Sequence, residues 1–209
     1  MFENLENIIF YAICVLACML IFFPFGLFMG YWVDGRDIRK LGSGNIGGTN
    51  VWRVYGPTYG GITILFDAIK GALPILLIAN ILKGFTNSDL VFVQISIGIF
   101  TIMANIFNPF LKFGGGKGIA TGIGILIALD WQIAILTFGA FFVMFAIHKY
   151  NSKDVFKASI TGSFTAVACS IGMMRPVPEI IFLTVVLILV IFSHRKNIHD
   201  FNQLFKKPL

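Results

Sequence analysis

Charge is scarce in this chain. Asp, Glu, Lys and Arg account for only 12% of its 209 residues, roughly half the share found in a soluble domain. That shortfall excludes a water-facing surface all round. Cysteine is scarce as well: Cys14, Cys18 and Cys169 lie in apolar runs, an odd set without C-x-x-C spacing. Neither a disulfide framework nor a metal site follows from them, and they read as small apolar filler. Absent too is the nucleotide pattern G-x-x-x-x-G-K-[ST], because Gly118 follows Lys117 where Ser or Thr is required. An ordinary ATPase is thereby excluded.

What is present is apolar length. The chain is 57% hydrophobic with a mean hydropathy of +0.86. Runs such as "IIFYAICVLACMLIFFPFGLFMGYWV" (8–33) and "EIIFLTVVLILVIF" (179–192) place it among integral membrane proteins. The first run has Glu3 and Glu6 ahead of it and no small-residue cleavage site behind it, so it reads as a retained helix and not as a signal peptide. We expect an all-α integral membrane protein of about seven transmembrane helices, roughly 5–33, 57–82, 90–111, 117–130, 131–149, 157–174 and 177–193. Short linkers imply one domain over 1–209. The 117–130 segment is short and glycine-rich, so it has to tilt, enter partway, or join the next span across a break at Asp130–Trp131.

Lys and Arg are not shared evenly between the two ends of these spans. One side holds thirteen: Arg36, Arg39, Lys40, Arg53, Lys112, Lys117, Lys149, Lys153, Lys157, Arg195, Lys196, Lys206 and Lys207. The other holds Lys83 and Arg175, beside the acids Glu3, Glu6, Asp89 and Glu179. The bias puts the N-terminus outside and the C-terminus in the cytoplasm. It also accounts for the formal net charge of +6 without any nucleic-acid partner. Lys70 alone is left inside a span.

Four polar clusters do not suit a passive membrane helix, and three of them fall at the basic end. In "GSGNIGGTN" (42–50), Gly42 and Gly44 permit a tight turn whose N–H groups can face an anion. Ser43, Asn45, Thr49 and Asn50 add neutral donors, and Arg53 adds a planar cation suited to phosphate. In "KFGGGKGIATG" (112–122), Gly115, Gly116 and Gly118 flank Lys117 at a helix start, a second anion-binding arrangement. "SHRKNIHD" (193–200) places His194 and Asn197 just beyond the last span. The fourth cluster is Asp67 and Lys70, three apart in the second span, which must pair or face a polar cavity and which we read as a brace for the site. Each has a plainer alternative: a solvated turn, a snorkelling cap, a structural ion pair.

In this order and spacing the clusters resemble the bacterial membrane glycerol-3-phosphate acyltransferase family that uses acyl phosphate as donor (PlsY). "DIRKLGSGNIGGTNVWR", "FDAIKGALP", "GGKGIAT" and "HRKNI" are similar to its signatures, and the likeness runs over nearly the whole chain. Where that family usually has Gly-His-x-Phe-Pro before the second signature, this chain reads "ANIFNP", with Asn105 in place of histidine and Gly114 in place of a lysine. The resemblance implies acyl transfer from acyl phosphate to the sn-1 hydroxyl of glycerol 3-phosphate, giving lysophosphatidic acid and phosphate. It implies no cofactor or metal, membrane lipids as surroundings, a functional link to the enzyme that makes acyl phosphate, and a bacterial plasma membrane location with the site facing the cytoplasm. Ser43, Arg53, Lys117, His194 and Asn197 take the catalytic roles. The two glycine loops and Ser159 hold phosphate.

Two features bear on that reading. An acyl phosphate carries its own leaving group, so no covalent enzyme nucleophile is needed; the site has to hold two phosphates and aim a hydroxyl. The His-x4-Asp pair of other acyltransferases is missing, since the fifth residue after His148 is Lys153 and the fifth after His194 is His199. That favours acyl phosphate over acyl-CoA or acyl-carrier protein. The other reading, an organic-anion transporter, would call for internal repeats, and only a vague echo joins the two glycine loops.

Overall fold

The computed structural model describes residues 16, 19–81, 86–147 and 155–195. Eight α-helices account for most of them: α1 (Phe25–Asp34), α2 (Gly48–Tyr55), α3 (Pro57–Ile81), α4 (Asn87–Ile106), α5 (Ile119–Leu129), α6 (Trp131–Ile147), α7 (Val155–Gly172) and α8 (Val177–Ser193). Three of these segments are long and apolar enough to cross a membrane: Pro57–Ile81, Asp89–Leu111 and Val155–Gly172.

The first expected span, 5–33, is not one helix in its described part. Residues 19–22 are helical, the helix stops at Phe23–Pro24, and α1 begins at Phe25. Proline has no N–H to give, and its ring forces the preceding residue out of the helical region. The break strands the carbonyl of Phe22 in an apolar setting, where an unpaired oxygen is costly, while Phe23 O accepts from Phe25 N–H at 3.1 Å. Both receive a side-chain donor from far along the chain. Asn108 Nδ2 donates to Phe22 O at 2.6 Å, and Lys70 Nζ donates to Phe23 O at 3.4 Å. Lys70 is in turn ion-paired with Asp67 at 2.7 Å.

The fourth expected span, 117–130, also changes. Its helix has 11 residues, so it rises only about 16 Å, near half of a hydrocarbon core of about 30 Å. Asp130 leaves the helix in an extended conformation. Its Oδ1 then accepts from the N–H groups of Gln132 and Ile133 at 3.0 and 3.2 Å, starting α6. The break expected at Asp130–Trp131 is thus an Asp-capped helix start.

Helix α5 is clasped against α3. A Cβ built on Gly124 would lie 1.9 Å from Ala68 O, and one on Gly71 would lie 2.2 Å from Thr121 O. Backbones this close need glycine on both sides, the small-residue packing usual between membrane helices. Around the clasp, Ile75, Ile102, Ile125, Ile133 and Phe182 form the main apolar core. A smaller cluster of Met29, Ile38, Ile46 and Val51 sits beneath the 42–50 loop and gives that loop a fixed floor.

Candidate functional site

The 42–50 loop is organised from within. Asn50, 1% exposed, turns its carboxamide into the loop: Nδ2 donates to Asn45 O at 2.8 Å and Leu41 O at 3.0 Å. Its Oδ1 accepts from Ser43 N–H at 2.8 Å and from Arg53 Nη1 at 3.1 Å. Asn45 Oδ1 likewise accepts from Gly47 N–H at 2.7 Å, and Gly44 N–H donates to Leu41 O at 3.0 Å. The N–H groups of Ser43, Gly44 and Gly47, expected to face an anion, are therefore spent on the loop itself. Asn45 and Asn50 brace the turn, whereas Ser43, Thr49 and Arg53 are exposed.

Gly42 and Gly44 adopt φ of 57° and 74°, a region costly for residues with a Cβ. Gly26 lets α1 close on the loop, since a Cβ there would fall 1.7 Å from Ile46 O. The braced break at Pro24 thus fixes α1, and α1 fixes the loop.

The second glycine loop lies along the end of α4. Gly115 N–H donates to Ile106 O at 3.1 Å and Gly116 N–H to Asn105 O at 2.9 Å. Gly118, at φ 75°, turns the chain into α5, and Lys117 is carried at the bend, half-buried. Burial first, and then the Arg53 guanidinium, push the Lys117 ammonium down to about 8. The two glycine loops share one corner of the protein: a Cβ built on Gly116 would lie 3.9 Å from Ile46 Cγ1.

The end of α8 closes the same corner. Ser193 Oγ lies 3.4 Å from Lys117 O. His194 is fully buried; its Nδ1 sits 2.8 Å from Val190 O, which obliges Nδ1 to carry the proton, while Nε2 is buried without a hydrogen-bond partner. Burial, followed by the Lys117 charge, lowers the imidazole to about 4. At neutral pH the ring is uncharged and offers a lone pair at Nε2.

Ser159, 2% exposed, bonds Val155 O at 2.9 Å and joins Gly118, Thr137, Phe141, Gly162 and Val190 in lining a narrow, largely apolar cavity among α5–α8. Asn197 lies outside the described residues. Asp67 and Lys70 stand back from this corner as the brace of the Pro24 break. Two buried residues prove central: Asn105, read from the sequence only as a departure from the family pattern, and Asn108, which sequence reasoning passed over. Their signal was visible as two amides in the apolar run ending "ANIFNP".

Arg53 and Lys117 thus supply two cations, Ser43 a hydroxyl and His194 a neutral acceptor at one corner of the protein. Such a set can hold phosphoryl oxygens and orient a hydroxyl, and it contains no activated nucleophile.

Comparison with known proteins covers nearly the whole chain. The family model described as glycerol-3-phosphate acyltransferase matches residues 11–203. A glycerol-3-phosphate acyltransferase of Myxococcus xanthus is 36% identical, with 84% of this chain and 86% of the relative covered. One from Trichormus variabilis is 34% identical over 90% of this chain and 86% of its own length. Among solved structures, an integral membrane glycerol 3-phosphate acyltransferase, PlsY, in its glycerol 3-phosphate form superposes with a TM-score of 0.79 at 28% identity. The match covers 96% of this chain and 95% of that one.

Proposed function

We propose, from the premise that this chain belongs to the glycerol-3-phosphate acyltransferase family, that its acyl donor is an acyl phosphate and its acceptor atom the sn-1 hydroxyl. The hydroxyl oxygen attacks the acyl carbonyl, the bond from acyl carbon to phosphate oxygen breaks, and the hydroxyl proton ends on the departing phosphate. Lysophosphatidic acid and inorganic phosphate result. No side chain takes the proton. Arg53 and Lys117 offset the repulsion between the two phosphates, with Ser43 and Thr49 as neutral donors beside Arg53. His194 accepts from an acceptor hydroxyl at Nε2, Asn197 binds the same acceptor, and Ser159 helps to hold the acceptor's phosphate.

The single observation that carries this reading is that Ser193 Oγ, beside the buried His194, reaches the Lys117 carbonyl, so that Lys117 and His194 meet, with the Arg53 charge acting on Lys117 and no activated nucleophile beside them among the described residues. The chain forms one domain of seven membrane segments, with α2 lying at the surface. The N-terminus is outside and the site opens to the cytoplasmic face of a bacterial plasma membrane, which suits supply of donor by an acyl-phosphate-forming enzyme. Purified protein given glycerol 3-phosphate should form lysophosphatidic acid with palmitoyl phosphate and not with palmitoyl-CoA. Turnover with the thioester, or none with the anhydride, would defeat the donor assignment.

A further inference from the structure

The last turn of α4 holds a residue to which the reaction gives no role. Asn105 is 6% exposed in an otherwise apolar stretch, and it holds both ends of the segment that carries Lys117. On one side its main-chain oxygen accepts from Gly116 N–H at 2.9 Å. On the other its Nδ2 donates to Thr121 Oγ1 at 3.1 Å, a hydroxyl 1% exposed in the first turn of α5. Its Oδ1 also fills the space a side chain on Gly116 would need, 2.8 Å from a Cβ built there. Lys117 sits between these two grips.

We propose that Asn105 is a positioning residue: its carboxamide ties the glycine loop to α5 and so sets where the Lys117 ammonium stands relative to Arg53 and His194, without touching substrate. The inference rests on Lys117 being the phosphate-binding cation assigned above. A lysine is a point charge on a flexible stem, so its placement is only as good as its backbone origin. Gly114, Gly115, Gly116 and Gly118 allow the loop its path but have no side chains to hold it, so the hold has to come from a neighbour. A displacement near 1 Å at such a group costs on the order of 100-fold in rate. The carboxamide is also neutral, so it holds Lys117 without adding to the charges facing it, Arg53 from α2 and the uncharged His194 beyond α8.

Full-length enzyme is assayed across pH with glycerol 3-phosphate and palmitoyl phosphate, alongside thermal unfolding. Asn105→Leu and Thr121→Val, both near isosteric, remove the bond; Thr121→Ser keeps it. Each of the first two should lower kcat/KM by about tenfold or more and move the alkaline limb upward, as Lys117, whose ammonium burial lowers to about 8, gains solvent. Their combination should be no worse than the poorer single variant, because one bond links the two sites, and Thr121→Ser should stay near the parent. Losses that add in the combination, or an unmoved alkaline limb, would overturn the proposal. If Asn105→Leu does not fold, Thr121→Val against Thr121→Ser reads the same bond from its other end. Lys117→Ala separates the two layers: if it retains activity the phosphate assignment falls and this inference with it, whereas if it abolishes activity while Thr121→Val changes neither rate nor limb, positioning alone fails.

Discussion

His194 shows how a backbone can choose a side chain's chemistry. The Val190 carbonyl claims Nδ1, burial forbids the charged ring, and what remains is a neutral imidazole lowered to about 4. In the unfolded chain the same ring titrates at its ordinary value of 6.5. Between these values only the unfolded chain binds the proton. Stability is therefore present in full above pH 6.5 and drains away as pH falls toward 4, by up to about 1.4 kcal/mol per pH unit. Thermal unfolding in detergent between pH 7 and 5 should show this loss, and His194→Gln should flatten it; an equal slope in both would contradict the assignment. Other residues were only partly legible. The glycine spacing and Arg53 could be read as an anion site, but Asn50 looked like one more donor to ligand. Its bonds to Leu41, Ser43, Asn45 and Arg53 depend on a turn closing over it, and that is tertiary information.

At the scale of elements, the Pro24 break is the feature from which the site's geometry follows. Phe22 O loses its helical partner and takes Asn108 as donor, and Phe23 O, already bonded to Phe25 N–H, takes Lys70 of the Asp67–Lys70 pair as a second, both from far along the chain. Lys70→Met would leave Asp67 buried and unpaired and remove the second donor to Phe23 O, which keeps Phe25 N–H. Removing one partner of a buried pair costs about 3–5 kcal/mol, while removing both costs much less. Unfolding of Lys70→Met should show the large loss, and Asp67→Leu with Lys70→Met should recover part of it. No recovery would mean that the pair is not the brace described. Spacing alone revealed that Asp67 and Lys70 pair. What they support was hidden, because Phe23 is 47 positions from Lys70. The break was in plain view as "FFPFG", yet the unbroken apolar run around it reads as one span. The shortness of α5 was legible from its glycines, and its clasp on α3 through Gly71 and Gly124 was not.

For the whole molecule, the uneven distribution of Lys and Arg is the only sequence signal for orientation, and it acts through the membrane potential and insertion machinery, not through packing. Helix ends from 57 onward fall within a few residues of the expected spans, because length and hydropathy suffice where the helix is not interrupted; Pro74 is carried inside α3 without a break. Orientation is tested from outside. With the three native cysteines replaced by alanine, Met174→Cys, at a position 92% exposed, should react with a membrane-impermeant maleimide in intact cells. Lys40→Cys should react only after lysis. The reverse pattern would turn the protein over and move the site to the wrong face.

Two glycine-shaped turns and a helix end bring Arg53 and Lys117 to one corner, and we propose that both act on the same anion, the phosphoryl group of glycerol 3-phosphate. Titration of glycerol 3-phosphate into the purified protein by calorimetry measures this directly. Arg53→Ala and Lys117→Ala should each weaken binding by at least about tenfold, or 1.4 kcal/mol, with helical content unchanged. Affinity within about twofold of the parent in both variants would contradict it.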